Sequence, residues 1–492
     1  MFLFTKIFGI IYKKTAPTSF TFAAVKKKKI ILENVPVTAY AAEGKALARI
    51  EGKVIFIEGA VPGDVADVLI TKNKKDWAEG KVSKIKEFSP ERVTPFCIHF
   101  GICGGCKWQM LPYEKQLQYK EQEVKDVIKR IGKIETFILP IRGSEKTIHY
   151  RNKLEFTFSN KKYLTKKEFS VLGEDEWPGG ALGYHVPKLY DKIIDIRECW
   201  LMDEENNLIR NTLREFAEKN HYSYYDIKEH KGFLRNVIIR SCTTGELMVN
   251  LFFGNEDKEK REKICNYLLE QVPQITTLLY TINQKWNDSM DGLEPQIFSG
   301  KGFVIEKLGD FNFKISSKSF FQTNTKQAEV LYNVVKDFAA LTGKEIVYDL
   351  YCGTGSIGIF LSNDAKKIIG VDVIEEAIHD AKENAELNNL QSASFFSGDV
   401  IEICSDDFFM LHGSPDVVIV DPPRAGLHNK LVNKLLEIAS PKIVYVSCNV
   451  ATQARDLQLL HEKYVVEKIQ PVDMFPHTHH IESVAILTLR KT

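Results

Sequence analysis

From Lys29 to about Phe88 apolar and polar residues alternate in short runs: ILENVPVTAY, GKALARI, KVIFIEGAV, DVADVLITKN and WAEGKVSKIKEF, with breaks at Gly44, Gly63 and Gly80. A period of two marks half-buried strands. Five such strands in so short a span predict a small closed barrel of the OB type, often a nucleic-acid binder and sometimes purely structural. A loop rich in Cys and Gly follows. Then PYEKQLQYKEQEVKDVIKRIG has the apolar spacing of one long amphipathic helix. From about 140 to 310 the chain is strand-rich, with EFTF, GALGYH, FLRNVIIRS and ELMVNLFF as candidates. From about 311 onward apolar strands alternate with helical segments, the pattern of an α/β domain. The predicted units are therefore an extension over 1–28, a barrel over 29–88, a central unit from 89–110 and 140–310, and an α/β unit from 111–139 and 311–492.

A chain of 492 residues exceeds one ordinary core, which agrees with several units. The net charge of +1 excludes a general polycation, so any nucleic-acid surface is local. Lys26 to Lys29, then Lys72, Lys74, Lys75, Lys81, Lys84 and Lys86, form a candidate phosphate footprint; a solvated lysine-rich face explains the same charges. Nine cysteines in so long a chain suit metal binding or catalysis in a reducing cytoplasm better than a disulfide scaffold. In MFLFTKIFGIIYKK the lysines mostly follow the apolar run, unlike a signal peptide, and the segment reads as a poorly ordered extension. No stretch has the apolar length of a membrane span.

The most informative string is EIVYDLYCGTGSIGIFLS. A buried strand, Ile346 to Leu350, runs into a turn containing Gly353 and Gly355 and then a helix near Ser356. Glycines there let a ligand approach backbone beside the positive end of a helix, although a tight turn with nothing bound reads the same. KKIIGVDV ends a second apolar run at Asp372, where doubly wound sheets place a carboxylate for ribose. FFSGDV and DVVIVDPPRAG put Asp399 and Asp421 at two further strand ends. DLYCGTGSIG, GVDV, GDV and DPPRAG resemble the successive motifs of class I S-adenosylmethionine methyltransferases, the last in the form found in RNA uracil-5-methyltransferases.

KIVYVSCNVATQARDL places Cys448 at the end of another apolar strand. Carbon 5 of uracil is a poor nucleophile until a thiolate adds at carbon 6, after which the enolate can take a methyl group and a base must remove the carbon-5 proton. PVDMFPHTHHIESVAIL offers Glu482 for that step, with His477, His479 and His480 nearby in sequence. A lone strand-end cysteine is more often a small buried hydrophobe. SCNVAT and FPHTHHIES, however, resemble the two closing motifs of the uracil-5-methyltransferase family, as in bacterial large-subunit rRNA enzymes of the RumA/RlmD type.

That resemblance implies Cys448 as nucleophile and Glu482 as base. It places Tyr351, Gly353 and Gly355 along the methionine side of the methyl donor, Asp372 at its ribose and Asp399 near its adenine, with Asp421 in the same cofactor-binding set. In FKISSKSFFQTNTKQAEVLY it implies Gln322 at the donor's methionine end and Phe320 stacked on a flipped uracil, a core phenylalanine being the alternative. Two positions depart from the family pattern: Asp372 stands where Glu is usual, and Val450 where proline is common.

FCIHFGICGGCKWQ spaces Cys97, Cys103 and Cys106 closely enough for a metal, and Cys199 in DIRECWLM is the candidate fourth ligand. Four cysteines suit zinc as well as an iron–sulfur cluster, while Cys242 and Cys265 read as core. The resemblance implies a 4Fe–4S cluster and a leading TRAM barrel. It therefore predicts a cytoplasmic, monomeric enzyme with a Rossmann-like methyltransferase domain, a TRAM barrel and a strand-rich central Fe–S domain, acting on 23S rRNA. Transfer-RNA-specific relatives generally lack both barrel and cluster. The rival readings are a tRNA uracil-5-methyltransferase, an RNA cytosine-5-methyltransferase and an inactive RNA-binding homologue.

Overall fold

Six strands build the leading barrel in a computed structural model that describes residues 30–172 and 179–491. The expectations for residues 1–28 and for Lys26 to Lys29 lie outside the described residues. One predicted strand is two: the first run bends at Val37, where the backbone N–H turns to the Asp64 carbonyl. Ile31–Pro36 then pairs with Val65–Asn73, and Ala39–Tyr40 pairs with Ala46–Ile50 on the other side. With Lys53–Glu58 and Trp77–Glu87 between, the bent run closes the ring. Val35, Ala48, Ile55, Ile57 and Val68 fill it. Lys72, Lys74, Lys75, Lys81, Lys84 and Lys86 are all exposed, and of these only Lys86 makes a described ion pair, with Asp67 at 3.1 Å.

The central sheet has seven strands, with Lys153–Ser159, Leu234–Ser241 and Leu247–Phe253 at its middle. Helices Glu205–Lys219 and Lys258–Gln271 cover one face, packing Ile209, Leu213, Ile264 and Leu268 onto Phe156, Val237, Val249 and Leu251.

The eight-stranded catalytic sheet runs, edge to edge, Ala393–Ser397, Lys367–Asp372, Ile346–Leu350, Val417–Val420, Lys442–Ser447, Glu482–Leu489, Tyr464–Val472 and Phe137–Ile138. Its first five strands are parallel and Glu482–Leu489 is antiparallel to both neighbours. Parallel strands are buried on both faces, which explains the unbroken apolar runs IVYDL, KIIGVD and VVIV. Separate apolar clusters lie on the two faces. The architecture is thus α/β with a Rossmann-like sheet. Among the described residues no helix is long and apolar enough to cross a membrane.

The predicted amphipathic helix forms over Tyr113–Val127 and continues through a wider five-residue turn, Ile128–Gly132. Val124 and Ile128 pack onto the catalytic sheet. The same helix buries two polar residues, Gln116 and Lys120. Lys120 Nζ donates to Asp473 Oδ1 at 2.7 Å, with both side chains fully buried, and Tyr113 Oη donates to Asp473 Oδ2 at 2.9 Å. Gln116 Nε2 donates to His477 Nδ1 at 3.1 Å while its Oε1 accepts the His477 backbone N–H at 2.8 Å. The loop between the last two long strands, which leads into Glu482, is therefore fastened to a helix more than 350 residues earlier.

Removing one member of a buried ion pair leaves the other uncompensated, at a cost of about 3–5 kcal/mol. Lys120→Ala should lower urea-unfolding stability by that order, and Lys120→Met combined with Asp473→Leu should recover most of the loss. A Lys120→Ala protein as stable as the parent contradicts this account.

Candidate active site

Every cofactor and catalytic candidate from the catalytic sheet lies on one edge. Parallel strands present their carboxyl ends there: Asp399 just beyond Ala393–Ser397, Asp372 ending Lys367–Asp372, Tyr351 after Ile346–Leu350, Asp421 after Val417–Val420, and Cys448 after Lys442–Ser447. Glu482 opens the antiparallel strand beside the last. Because Ser447 pairs with Ser483, Cys448 and Glu482 are the next opposed positions beyond that pair. Strands lie about 4.8 Å apart, so the glycine turn and Cys448, two strands removed, are separated by about 10 Å with Asp421 between them.

The turn is a strained, pre-shaped cradle. Tyr351 has φ +62°, outside the region ordinary side chains favour. Gly355 has φ +75°, and a Cβ there would meet the Phe395 ring at 2.8 Å. Over Gly353 a Cβ would find nothing within 4 Å, so the backbone there faces open space. Asp372 does more than the sequence suggested: its Oδ2 accepts the Gly353 N–H and its Oδ1 the Ile374 N–H, both at 2.9 Å. It braces the turn, and each oxygen keeps a further lone pair for a hydroxyl. Asp399 caps the short helix Val400–Ile403 through the Ile401 N–H at 2.8 Å.

Phe320 and Gln322 approach this turn from the central side. The Thr354 hydroxyl donates to the Phe320 carbonyl at 3.5 Å, and Asn152 Nδ2 to the Gln322 carbonyl at 2.9 Å. The two adjacent phenylalanines divide their roles. Phe321 is core, whereas Phe320 is 73% exposed, so it is not a core residue.

Around Cys448 the electrostatics are dominated by acids. Burial, then Glu482 and Asp421, push its thiol up to about 11, and Arg424 opposes them. Burial lifts Asp421 to about 7. Glu482 is held well above the carboxylate range by burial and by Asp421, again opposed by Arg424. Arg424 is held by its backbone: Asn449 Nδ2 and the Thr452 hydroxyl donate to its carbonyl at 3.0 and 3.3 Å. Its Nη2 lies 3.4 Å from His480 Nδ1. Asn449 also caps helix Val450–Leu460, so Val450 in place of proline leaves a regular helix start. The histidines are not general bases in this arrangement: burial lowers His477 and His479 to about 4 and His480 to about 3.

Cys97, Cys103, Cys106 and Cys199 line one cavity of about 310 Å³, with Arg151, Trp200 and Thr323 also in its wall. Burial raises the thiols of Cys97 and Cys103, and that of Cys106 to about 12. Among the described residues no three of these sulfurs lie within 4.8 Å of one another. Four thiolates on one zinc at about 2.3 Å would stand roughly 3.8 Å apart. Cys265 is fully buried in the core; Cys242 is half-buried at the edge of the other cluster.

Residues 296–490 match the family described as tRNA (Uracil-5-)-methyltransferase, and residues 33–83 match the TRAM domain. An uncharacterised RNA methyltransferase of Bacteroides thetaiotaomicron is 49% identical over 92% of this chain and 100% of its own length. One of Porphyromonas gingivalis is 46% identical over 92% and 98%. This chain belongs to the RNA (uracil-5-)-methyltransferase family. A solved relative, the Pyrococcus abyssi tRNA (uracil-54, C5)-methyltransferase in complex with S-adenosyl-L-homocysteine, superposes with TM-score 0.71 at 30% identity. It covers 93% of this chain and 100% of its own. The uncovered remainder is shorter than the barrel. The match to this tRNA enzyme therefore reaches into the barrel, and the barrel does not by itself separate rRNA from tRNA members.

In this uracil-5-methyltransferase family member the sequence reading missed two groups. Asp349, buried beneath the turn, accepts the Gly358 N–H at 2.9 Å and is lifted by burial to about 7. Arg424 stood in view within DPPRAG, but its place beside Cys448 and Glu482 depends on the fold. Removing its charge should raise the Cys448 thiol further. Arg424→Ala should therefore move the pH midpoint of Cys448 alkylation by iodoacetamide, followed by peptide mass spectrometry, to higher pH, with Arg424→Lys in between. An unmoved midpoint refutes the role.

Proposed function

We propose that this chain methylates carbon 5 of a specific uridine in 23S rRNA, working as a cytoplasmic monomer through a covalent bond between Cys448 and carbon 6. The observation that carries the chemistry is the opposition of Cys448 and Glu482 across the sheet end, one strand from Asp421. S-adenosylmethionine supplies the methyl group and a positive sulfonium charge. Tyr351, Gly353, Gly355 and Gln322 hold its methionine end, Asp372 its ribose, and Asp399 lies toward its adenine. A positive charge at this edge would favour the charged forms of Cys448, Asp421 and Glu482, which burial disfavours.

The target uridine leaves its stack at a cost of about a few kcal/mol, and the exposed Phe320 ring replaces part of that stacking. Cys448 adds to carbon 6, carbon 5 takes the methyl group, Glu482 removes the carbon-5 proton, and the thiolate leaves. Arg424, the cation facing this cluster, offsets the negative charge that passes from thiolate to uracil.

The cysteine cavity reads as the seat of a 4Fe–4S cluster. All four cysteines line that one cavity, a donor set that zinc also suits. Its contribution here is positional: Thr323 in its wall follows Gln322, and Phe96, next to Cys97, packs its ring edge-to-face on His477 at 5.1 Å.

A second reading, a uridine in tRNA, is favoured by the printed activity of the solved archaeal relative. Mapping 5-methyluridine by mass spectrometry in rRNA and tRNA from a strain lacking this gene decides. Loss at a 23S uridine with tRNA unchanged is the expected result; loss in tRNA alone selects the second reading. With purified enzyme, Cys448→Ala should abolish turnover, and Glu482→Gln should trap an RNA–protein adduct that survives denaturing electrophoresis. Normal turnover by Cys448→Ala would falsify the covalent route.

A further inference from the structure

The central sheet has a second face that its helices do not cover. Side chains alternate along a strand, and the register pairs Asn236 with Thr157 and Arg240 with Lys153, so these four share that face. At one end Arg240 Nη2 donates to the Ser319 carbonyl at 3.3 Å, immediately before Phe320. Its Nη1 has no described partner although it is buried, and a like charge, Lys153, stands opposite. The buried Glu306 is the carboxylate that acts on Arg240, and Glu155, two residues along the same strand, acts on Lys153.

At the other end lies a loop from Asn283 to Asp291, whose Asp288 lines a small cavity together with Asn236. One buried residue sets its shape. Arg235 donates through Nη1 to the carbonyls of Asn283 and Lys285, both at 2.7 Å, through Nη2 to that of Asn287 at 2.6 Å, and through Nε to Asp288 Oδ1 at 3.0 Å. Its guanidinium also lies over the Tyr225 ring at 4.3 Å. The backbone on both sides of Trp286 is thus fixed from beneath. Trp286 is nevertheless 79% exposed, and its indole stacks on His230 with centroids 4.8 Å apart and planes within 8°. Its neighbours Gln284, Asn287 and Asp288 are exposed and polar. A single flat ring in polar surroundings suits a nucleobase, whereas a protein partner is met by a broader apolar core. The loop then leads to Glu294, ion-paired with Lys318 two residues before Phe320. From Asn236 to Arg240 the face spans four strand residues, about 13 Å.

We propose that Trp286, backed by His230, is a stacking subsite for a base of the RNA strand flanking the target uridine, and that the part-exposed Lys153 faces a phosphate between that base and Phe320. This rests on the reading of the chain as an RNA methyltransferase.

The test uses the full chain and a fluorescein-labelled single-stranded oligouridylate, with S-adenosylmethionine binding measured in parallel. Trp286→Ala should weaken oligonucleotide binding roughly five- to a hundredfold, the range for one stacked base. Trp286→Phe should keep most of the affinity, and His230→Ala should fall between. Binding of the methyl donor should be unchanged in all three, which separates a lost subsite from a misfolded protein. If the parent binds the oligonucleotide and Trp286→Ala binds it equally well, the subsite is wrong while the enzymatic reading stands. If the parent binds S-adenosylmethionine but no RNA, both fall.

Discussion

The buried pair of Lys120 and Asp473 is the constraint on which the site depends. Two charges withdrawn from water are costly unless each is fully satisfied. Here Asp473 accepts from Lys120 and Tyr113, and also from the Phe475 N–H, so its loop has little freedom. Gln116 adds two hydrogen bonds at His477, whose carbonyl accepts N–H groups from Lys107 and Trp108 of the cysteine loop. The Trp108 indole N–H in turn reaches the Gly44 carbonyl of the barrel at 3.3 Å. Three other parts of the chain are tied together through this one loop, and that loop leads into Glu482.

The catalytic edge works by division. The half of the sheet from Ala393–Ser397 to Ile346–Leu350 is shaped by backbone: a left-handed Tyr351, the Gly353 and Gly355 turn, and Asp372 holding two N–H groups. The other half is shaped by charge. Cys448, Asp421 and Glu482 crowd together out of water, with Arg424 as the opposing cation. Such a cluster disfavours the charged forms of its acids and of the thiol, and added positive charge would favour them.

Much of this was legible in the chain. Ile346 to Leu350 is a strand as its apolar run predicts, the turn after it contains the positive-φ glycines, and Cys448 and Glu482 sit at strand ends. Those features are local: strand period, glycine conformation and strand length are set within a few residues. The barrel's first run was read as one strand and is two, because its bend at Val37 answers to Asp64, a partner far along the chain. Three histidines lie near Glu482 in sequence, but burial, which only the fold reveals, makes them poor bases.

By itself the sequence determined the order of elements, the polar residues at strand ends and the candidate four-cysteine set, since spacing and residue type express these directly. Only the tertiary structure decided that Cys448 opposes Glu482, that Arg424 faces both, that Phe320 points outward while Phe321 is core, and that the cysteines share one cavity. The physical reason is common to all four. Each depends on register, burial or long-range charge, and none of these exists until distant segments pack and exclude water.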